Sequence, residues 1–78
     1  MTNTPLSEDE YYLMGQWQYH LSMLNKHSDS EPERLYHLRR GKEICREVMR
    51  SPNYGFIKGK TVMLGYASMG LIGEWESA

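Results

Sequence analysis

The sequence has one cysteine, three prolines and one phenylalanine among 78 residues. A single cysteine excludes an internal disulfide framework and is typical of proteins kept in a reducing compartment. No basic, apolar N-terminal leader precedes a small-residue cleavage site, so we expect a cytoplasmic protein. The longest uncharged, apolar-leaning stretch, 61–73, has thirteen residues, whereas a membrane-spanning helix needs about 20. We therefore expect no membrane interaction.

Charge of one sign is also lacking, because nine basic and ten acidic residues leave a net charge of −1. Such a composition gives no ground for assigning a nucleic-acid protein from net charge alone. A chain of 78 residues has the size of one small domain, so we predict a single domain over 1–78 with a flexible arm at 1–6. So small a core leaves little room for an enclosed pocket of several hundred Å³.

No arrangement of residues predicts catalysis, a cofactor or a metal site. The stretch 55–61 has three residues, rather than four, between its first glycine and Gly-Lys-Thr, and so departs from a phosphate-binding loop. His20, His27 and His37 show no metal-ligand spacing, and we expect them at surface or boundary positions. Cys45 falls on a predicted packing face, where a free cysteine acts as a small hydrophobe. We therefore predict that the protein is not an enzyme.

A capping box predicts where the first helix begins. The Ser7 hydroxyl can accept the amide of Glu10, whose carboxylate reaches back, and we expect a helix at about 8–25. Its core stripe is predicted to be Leu13, Met14, Trp17, Leu21 and Leu24. A second apolar stripe consists of Tyr12, Tyr19 and Met23. Two interpretations of this second stripe are open: the C-terminal segment covers it, or it is exposed and contacts a partner.

A second capping box predicts the second helix. Ser30 and Glu33 form the box, and the helix is expected at about 31–50, ending before Pro52. Its inner side is predicted to gather Leu35, Leu38, Gly41, Cys45, Val48 and Met49, with Ile44 at the margin. The small residues Gly41 and Cys45 would let the first helix approach closely. The two helices together predict an antiparallel helical hairpin.

The C-terminal third of the sequence fits two structures. Alternation of large and small residues allows a β-hairpin at about 54–66, although a lone hairpin is marginally stable. A third helix at about 60–75 is the other interpretation, although several glycines oppose it. We favour a mainly α fold, a helical hairpin plus a third helical segment, and keep an α+β fold as the alternative.

Charge is distributed unevenly along the chain. Residues 34–60 carry eight of the nine basic residues and two acids, a net charge of +6, whereas 1–33 carry −5. The basic side of the second helix comprises Arg39, Arg40, Arg46 and Arg50. This pattern fits a solvated helix face interleaved with Glu43 and Glu47, a contact for an acidic protein, or a site for nucleic-acid phosphates.

These features predict a small, cytoplasmic, non-catalytic protein-binding module. We expect a regulator or inhibitor that occludes a larger, acidic-surfaced protein, such as a component of nucleic-acid machinery. Small accessory proteins of phages are comparable in size alone. Direct DNA or RNA binding through the basic face of the second helix is the alternative, and self-assembly through exposed aromatic residues is a third. The oligomeric state stays open.

Two sets of residues are the candidate contact surfaces, because Arg and Tyr commonly provide interface hot spots. The first set is Tyr36, Arg39, Arg40, Arg46, Arg50, Tyr54 and Lys58. The second set is Tyr12, Tyr19 and Met23.

Overall fold

The structure, a computed structural model, describes residues 6–26, 30–63 and 66–78, of which 66 and 67 are described without their side chains. Within these ranges the chain forms α1 (Glu8–Asn25), α2 (Glu31–Val48), α3 (Tyr54–Val62) and α4 (Tyr66–Ser77). No strand occurs in the described ranges. The predicted mainly α fold is confirmed, and the alternative with a β-hairpin at about 54–66 is wrong because 54–62 are helical.

The start of α1 is set by local hydrogen bonds, as predicted. The Ser7 hydroxyl accepts the backbone N–H of Glu10 at 3.2 Å, and the Glu10 carboxylate accepts the backbone N–H of Ser7 at 2.9 Å. This capping box satisfies two amides that a helix start otherwise leaves unpaired. Of the predicted arm at 1–6, only Leu6 lies within the described residues, and it packs against the core.

The start of α2 also follows the prediction, with a looser box in which Glu33 accepts the backbone N–H of Ser30 at 3.5 Å. The helix ends at Val48, two residues before the predicted 50. The backbone there tightens, because Arg50 and Ser51 donate to carbonyls three residues earlier in the chain. The Glu10 side chain contacts the turn after α2, and His20 contacts His37, so the two helices are antiparallel.

The C-terminal segment differs from the predicted single helix at about 60–75. It contains two helices, and α3 begins six residues earlier, at Tyr54. Ile57 and Thr61 on α3 are fully buried, and the Thr61 hydroxyl donates to the Ile57 carbonyl at 2.8 Å. Burial of this face offsets the helix-propensity cost of the α3 glycines, which sequence reasoning treated as turn signals.

All four helices contribute to one core. Its buried hydrophobic residues are Trp17, Leu21, Leu24, Ile44, Cys45, Val48, Ile57, Ile72 and Trp75. The predicted stripe residues Leu13, Met14 and Leu38 are partly buried against this core. Two predictions for α2 are wrong, because Leu35 is 50% exposed and Met49 is 44% exposed. The inner side of α2 is instead continued toward the linker by His37, which is buried.

Gly41 allows a close helix approach, but from a different helix than predicted. A Cβ atom at Gly41 would lie 2.5 Å from Cη2 of Trp75 on α4. A side chain at this position would therefore meet the indole ring. The small residue accommodates α4, whereas the prediction placed α1 there.

Candidate functional site

The two C-terminal helices cover only one side of the α1–α2 hairpin. Tyr54 on α3 lies against Trp17, with ring centroids 6.3 Å apart, and Trp75 on α4 lies against Gly41. Tyr12 and Tyr19 project from the side of α1 opposite Trp17. Tyr12 lies five residues before Trp17 and Tyr19 two residues after it, which places them about 140° and about 160° away around the helix. Within the described ranges, Tyr12 and Tyr19 of the second stripe therefore stay exposed.

The uncovered side, called here the open face, combines residues from both helices: Tyr12 and Tyr19 from α1, and Tyr36 and Arg40 from α2. Tyr12 is 65% exposed, and Tyr19 and Tyr36 are each 51% exposed. Arg40 is partly buried and pairs with Glu43. The structure thus joins members of both predicted candidate surfaces. Met23, also predicted for this surface, is partly buried.

A buried histidine pair lies beneath the open face. The Nδ1 atoms of His20 and His37 are 2.8 Å apart, and the two side chains are only 2% and 5% exposed. The rings of Tyr19 and Tyr36 each contact both imidazoles edge-on, with centroids 5.1 to 5.8 Å apart. The pair therefore positions two of the exposed tyrosines.

The prediction that these two histidines occupy surface or boundary positions is wrong. A signal for their burial was present in the sequence. His20 lies three residues after Trp17, and His37 four residues before Gly41, so helical spacing places both near the predicted core stripes. The hydrogen bond between their Nδ1 atoms lowers the free-energy cost of burying the two polar rings.

A shallow cleft extends the open face toward the start of α1. It has a volume of about 330 Å³ and is lined by Asp9, Tyr12, Leu13, Arg40 and Glu47. Both signs of charge and two apolar side chains meet there. Such a cleft can receive a polar or aromatic side chain of another protein.

A row of positive charges follows the outer side of α2. We call it the basic stripe: Arg39, Lys42, Arg46 and Arg50. All four side chains are exposed, and within the described ranges none of them forms an ion pair. One of the three interpretations of the sequence was a solvated helix face on which Glu43 and Glu47 alternate with the arginines. The structure pairs Glu43 with Arg40 and places Glu47 at the cleft, so the stripe keeps its charge. Lys42 was missed.

The remaining predicted contact residues, Tyr54 and Lys58, are engaged within the molecule. The Tyr54 hydroxyl donates to the Glu76 carboxylate, and Lys58 Nζ lies 2.8 Å from the same carboxylate. Hydrogen bonds from Lys58 and Tyr54 lower the pKa of Glu76, whereas burial raises the pKa of Tyr54. These groups tie α3 to α4 and are not brought to the open face.

The buried Cys45 thiol lies beside this network. Burial raises the pKa of Cys45, so the thiol stays protonated and acts as an apolar core group, as predicted. Among the described residues there is no group of three or more His, Cys, Asp or Glu side chains arranged to hold a metal ion.

Comparison with models of known protein families, with curated proteins and with solved structures found no match. Within the described part of the chain, each helix is too short or too polar to cross a membrane. The candidate site therefore rests on the geometry of the open face and the basic stripe.

Proposed function

We propose that the protein is a small, non-catalytic binding module that regulates or inhibits a larger protein by covering part of its surface. The observation that carries this proposal is the open face. Three exposed tyrosines and one arginine, supplied by two helices, lie on the side of the hairpin that α3 and α4 leave uncovered. Tyr and Arg are enriched at interface hot spots.

The setting of the tyrosines supports this proposal. The Tyr19 and Tyr36 rings rest against the buried histidine pair, so their rotation is already restricted before any partner binds. Side chains ordered in advance lose less conformational entropy on association. The contacts that Tyr19 and Tyr36 make with a partner can therefore contribute more to the binding free energy.

The basic stripe supports an acidic partner surface. Exposed charges at the rim of an interface mainly accelerate association and contribute less to final affinity. The start of the stripe borders the open face, because Arg39 lies three residues, about one helical turn, after Tyr36 on α2. In this proposal the tyrosines anchor the partner, the stripe steers it, and the complex forms in the cytoplasm. A component of nucleic-acid machinery is the kind of larger protein that we favour.

Site-specific photo-crosslinking in host cells tests the proposal. A photoreactive residue replaces Tyr19 on the open face or, as a control, Phe56 on α3, which is 39% exposed. We expect one discrete crosslinked protein from position 19 and none from position 56. A crosslink to a second copy of this chain would instead support self-assembly, and equal crosslinks from both positions would contradict the assignment of the open face.

Direct nucleic-acid binding is the second candidate. It is favoured by the four cations of the basic stripe, which form no ion pair with any residue that the structure describes. Titration of random duplex DNA and RNA at several salt concentrations tests it, because phosphate contacts give a log–log slope of roughly −0.9 per phosphate on DNA. We expect no binding tighter than about 10⁻⁵ M at physiological salt.

Two double variants make this test specific. Arg39→Glu with Arg46→Glu reverses two charges of the stripe, and Lys26→Glu with Lys60→Glu makes the same change in net charge elsewhere. A submicromolar, salt-sensitive complex that only the first double variant abolishes would replace protein binding by nucleic-acid binding.

A further inference from the structure

The contact between His20 and His37 joins α1 to α2 near the linker between these helices. It is a direct side-chain contact, with 2.8 Å between the Nδ1 atoms and 5.0 Å between the ring centroids. Both side chains are buried. Histidine is the side chain whose charge ordinarily changes between pH 5 and 8, so the number of protons on this pair affects how the helices are held together.

The hydrogen bond between the two rings allows the pair to bind at most one proton in addition to those of the neutral rings. At 2.8 Å one Nδ1 must carry a hydrogen and donate it, and the other must accept through its lone pair. A first added proton binds Nε2 of the donor ring and makes the hydrogen bond charge-assisted. A second proton has to bind the acceptor's Nδ1, which removes the lone pair and places two imidazolium rings in contact.

Among the described residues, the groups that shift the pKa of His20 supply no negative charge. Tyr19 from α1 and Tyr36 from α2 contact both rings. Burial, the neighbouring His37 and the Arg40 guanidinium lower the pKa of His20, in that order. The charged side chains of α3 and α4 do not contribute to this shift in the pKa of His20. They are Lys58, Lys60, Glu74 and Glu76.

We infer that the His20–His37 pair is a proton-responsive latch, which holds the linker end of the α1–α2 hairpin closed with at most one added proton and opens it when a second proton binds. The inference does not depend on the identity of any partner. It has a consequence for the open face, because opening the latch displaces the Tyr19 and Tyr36 rings that rest on the pair.

The latch makes stability depend on pH in a defined direction. In the unfolded chain two imidazoles of ordinary pKa, near about 6.5, bind two protons at about pH 5, whereas the hydrogen-bonded pair has room for at most one added proton. Below about 6.5 the unfolded state therefore binds more protons, and stability falls as the pH falls. A difference of one proton lowers the folding equilibrium constant about tenfold per pH unit.

The two carboxyl groups whose pKa values are shifted do not titrate in this window. Hydrogen bonds lower the pKa of Glu10 and of Glu76 below the ordinary 4.5. Both groups therefore stay ionised between about pH 6.5 and 5.0, and their titration does not account for a loss of stability in that range.

Denaturant unfolding of the full chain at a series of pH values, followed by tryptophan fluorescence in buffer with EDTA, measures the effect. The variants are His20→Asn and His37→Asn, because asparagine retains hydrogen-bonding groups near the Nδ1 position and does not titrate. His27→Asn removes the chain's third histidine and is the matched control. Nitrogen-15 NMR of the wild-type imidazoles counts the protons directly.

We expect the folding constant of wild type and His27→Asn to fall at least about tenfold between pH 6.5 and 5.0, and that of His20→Asn to change less than about threefold. His37→Asn should keep part of the fall, because burial still lowers the pKa of His20 in that variant. We also expect two separated macroscopic titration steps in the wild-type NMR spectra, with loss of Tyr19–His37 ring contacts at the second. Two independent imidazoles titrating near about 6.5, with a pH-independent folding constant, would overturn the latch. If either asparagine variant fails to fold, the wild-type NMR titration decides.

Discussion

The α1–α2 hairpin and the α3–α4 segment are both helical, but different interactions determine them. The helices α1 and α2 begin at capping boxes written in the local sequence, at Ser7 and Ser30. At the N-cap of α3, by contrast, the Asn53 side chain donates to the Glu10 carboxylate on α1, a tertiary contact. What holds α3 and α4 in place is burial of Ile57 and Ile72 and the contact of Trp75 with Gly41. Local signals determine the first region, and tertiary contacts determine the second.

The two sides of the α1–α2 hairpin also differ in role: one contributes to the stability of the fold, and the other is the proposed binding surface. The helices α3 and α4 cover one side of the hairpin and complete its core. The other side keeps its tyrosines exposed and rests on the histidine pair. A hairpin stabilised from one side can present its opposite side to a partner.

The largest expected effect tests the dependence of α3 on tertiary burial. Ile57→Ala removes a fully buried side chain and should cost about 2–5 kcal/mol of unfolding free energy. Phe56→Ala, its exposed neighbour on the same helix, should cost no more than about 1 kcal/mol. Denaturant melts followed by far-UV circular dichroism compare the two. Equal losses would show that α3 does not depend on burial of Ile57.

The next effect tests the contact between the two regions. Gly41→Leu places a side chain where Cβ alone would lie 2.5 Å from Trp75, and overpacking costs about 1–3 kcal/mol. Gly15→Leu is the matched control, since a Cβ at Gly15 has no neighbouring atom within 4 Å. There the gain in helix propensity, up to about 1 kcal/mol, should dominate. Thermal melts should shift in opposite directions, and a stabilised Gly41→Leu would show that Gly41 does not contact α4.

The smallest effect concerns the acid dependence of the hairpin. Glu10 accepts hydrogen bonds from Ser51, the Ser7 backbone and Asn53, which lower its pKa below the ordinary 4.5. A carboxyl group of this kind adds stability above its unfolded pKa, and this stability is lost as the pH falls through its folded pKa. Denaturant melts from pH 5 to 3 should therefore show a smaller loss of stability for Glu10→Gln than for wild type. Glu8→Gln, an equal change of charge, should follow wild type, and identical slopes for both variants would contradict the role of Glu10.

The same division between local signals and tertiary contacts explains which helices the sequence predicts. Helical period and capping residues predicted α1 and α2 to within two residues at each end, since both signals are local. The start of α3 at Tyr54 and its division from α4 were missed. There the glycines and Pro52 are typical of turns, and burial of Ile57 in the shared core offsets the cost of the glycines. Leu35 is exposed and His37 is buried, the reverse of what residue type suggests. Helical spacing placed His37 near the core stripe, but its hydrogen-bond partner, His20, lies on another helix.

The candidate site was predicted in part. Residue type and helical phase identified the four residues of the open face, but as members of two separate surfaces. These residues are Tyr12, Tyr19, Tyr36 and Arg40. Their union follows from which side of the hairpin α3 and α4 cover, a long-range property. Tyr54 and Lys58 were assigned to the contact surface from type and position alone, whereas Glu76, distant in sequence, engages both.

The affinity of the protein for the partner crosslinked through position 19 tests the central claim most directly. Surface plasmon resonance should compare wild type with the double variant Tyr19→Ala/Tyr36→Ala and with Phe56→Ala, after circular dichroism has confirmed that each is folded. The open face predicts a loss of more than tenfold for the double variant, about 1.4 kcal/mol, and less than threefold for Phe56→Ala. An unchanged dissociation constant for the double variant, or an equal loss from Phe56→Ala, would contradict the claim that the open face is the binding surface.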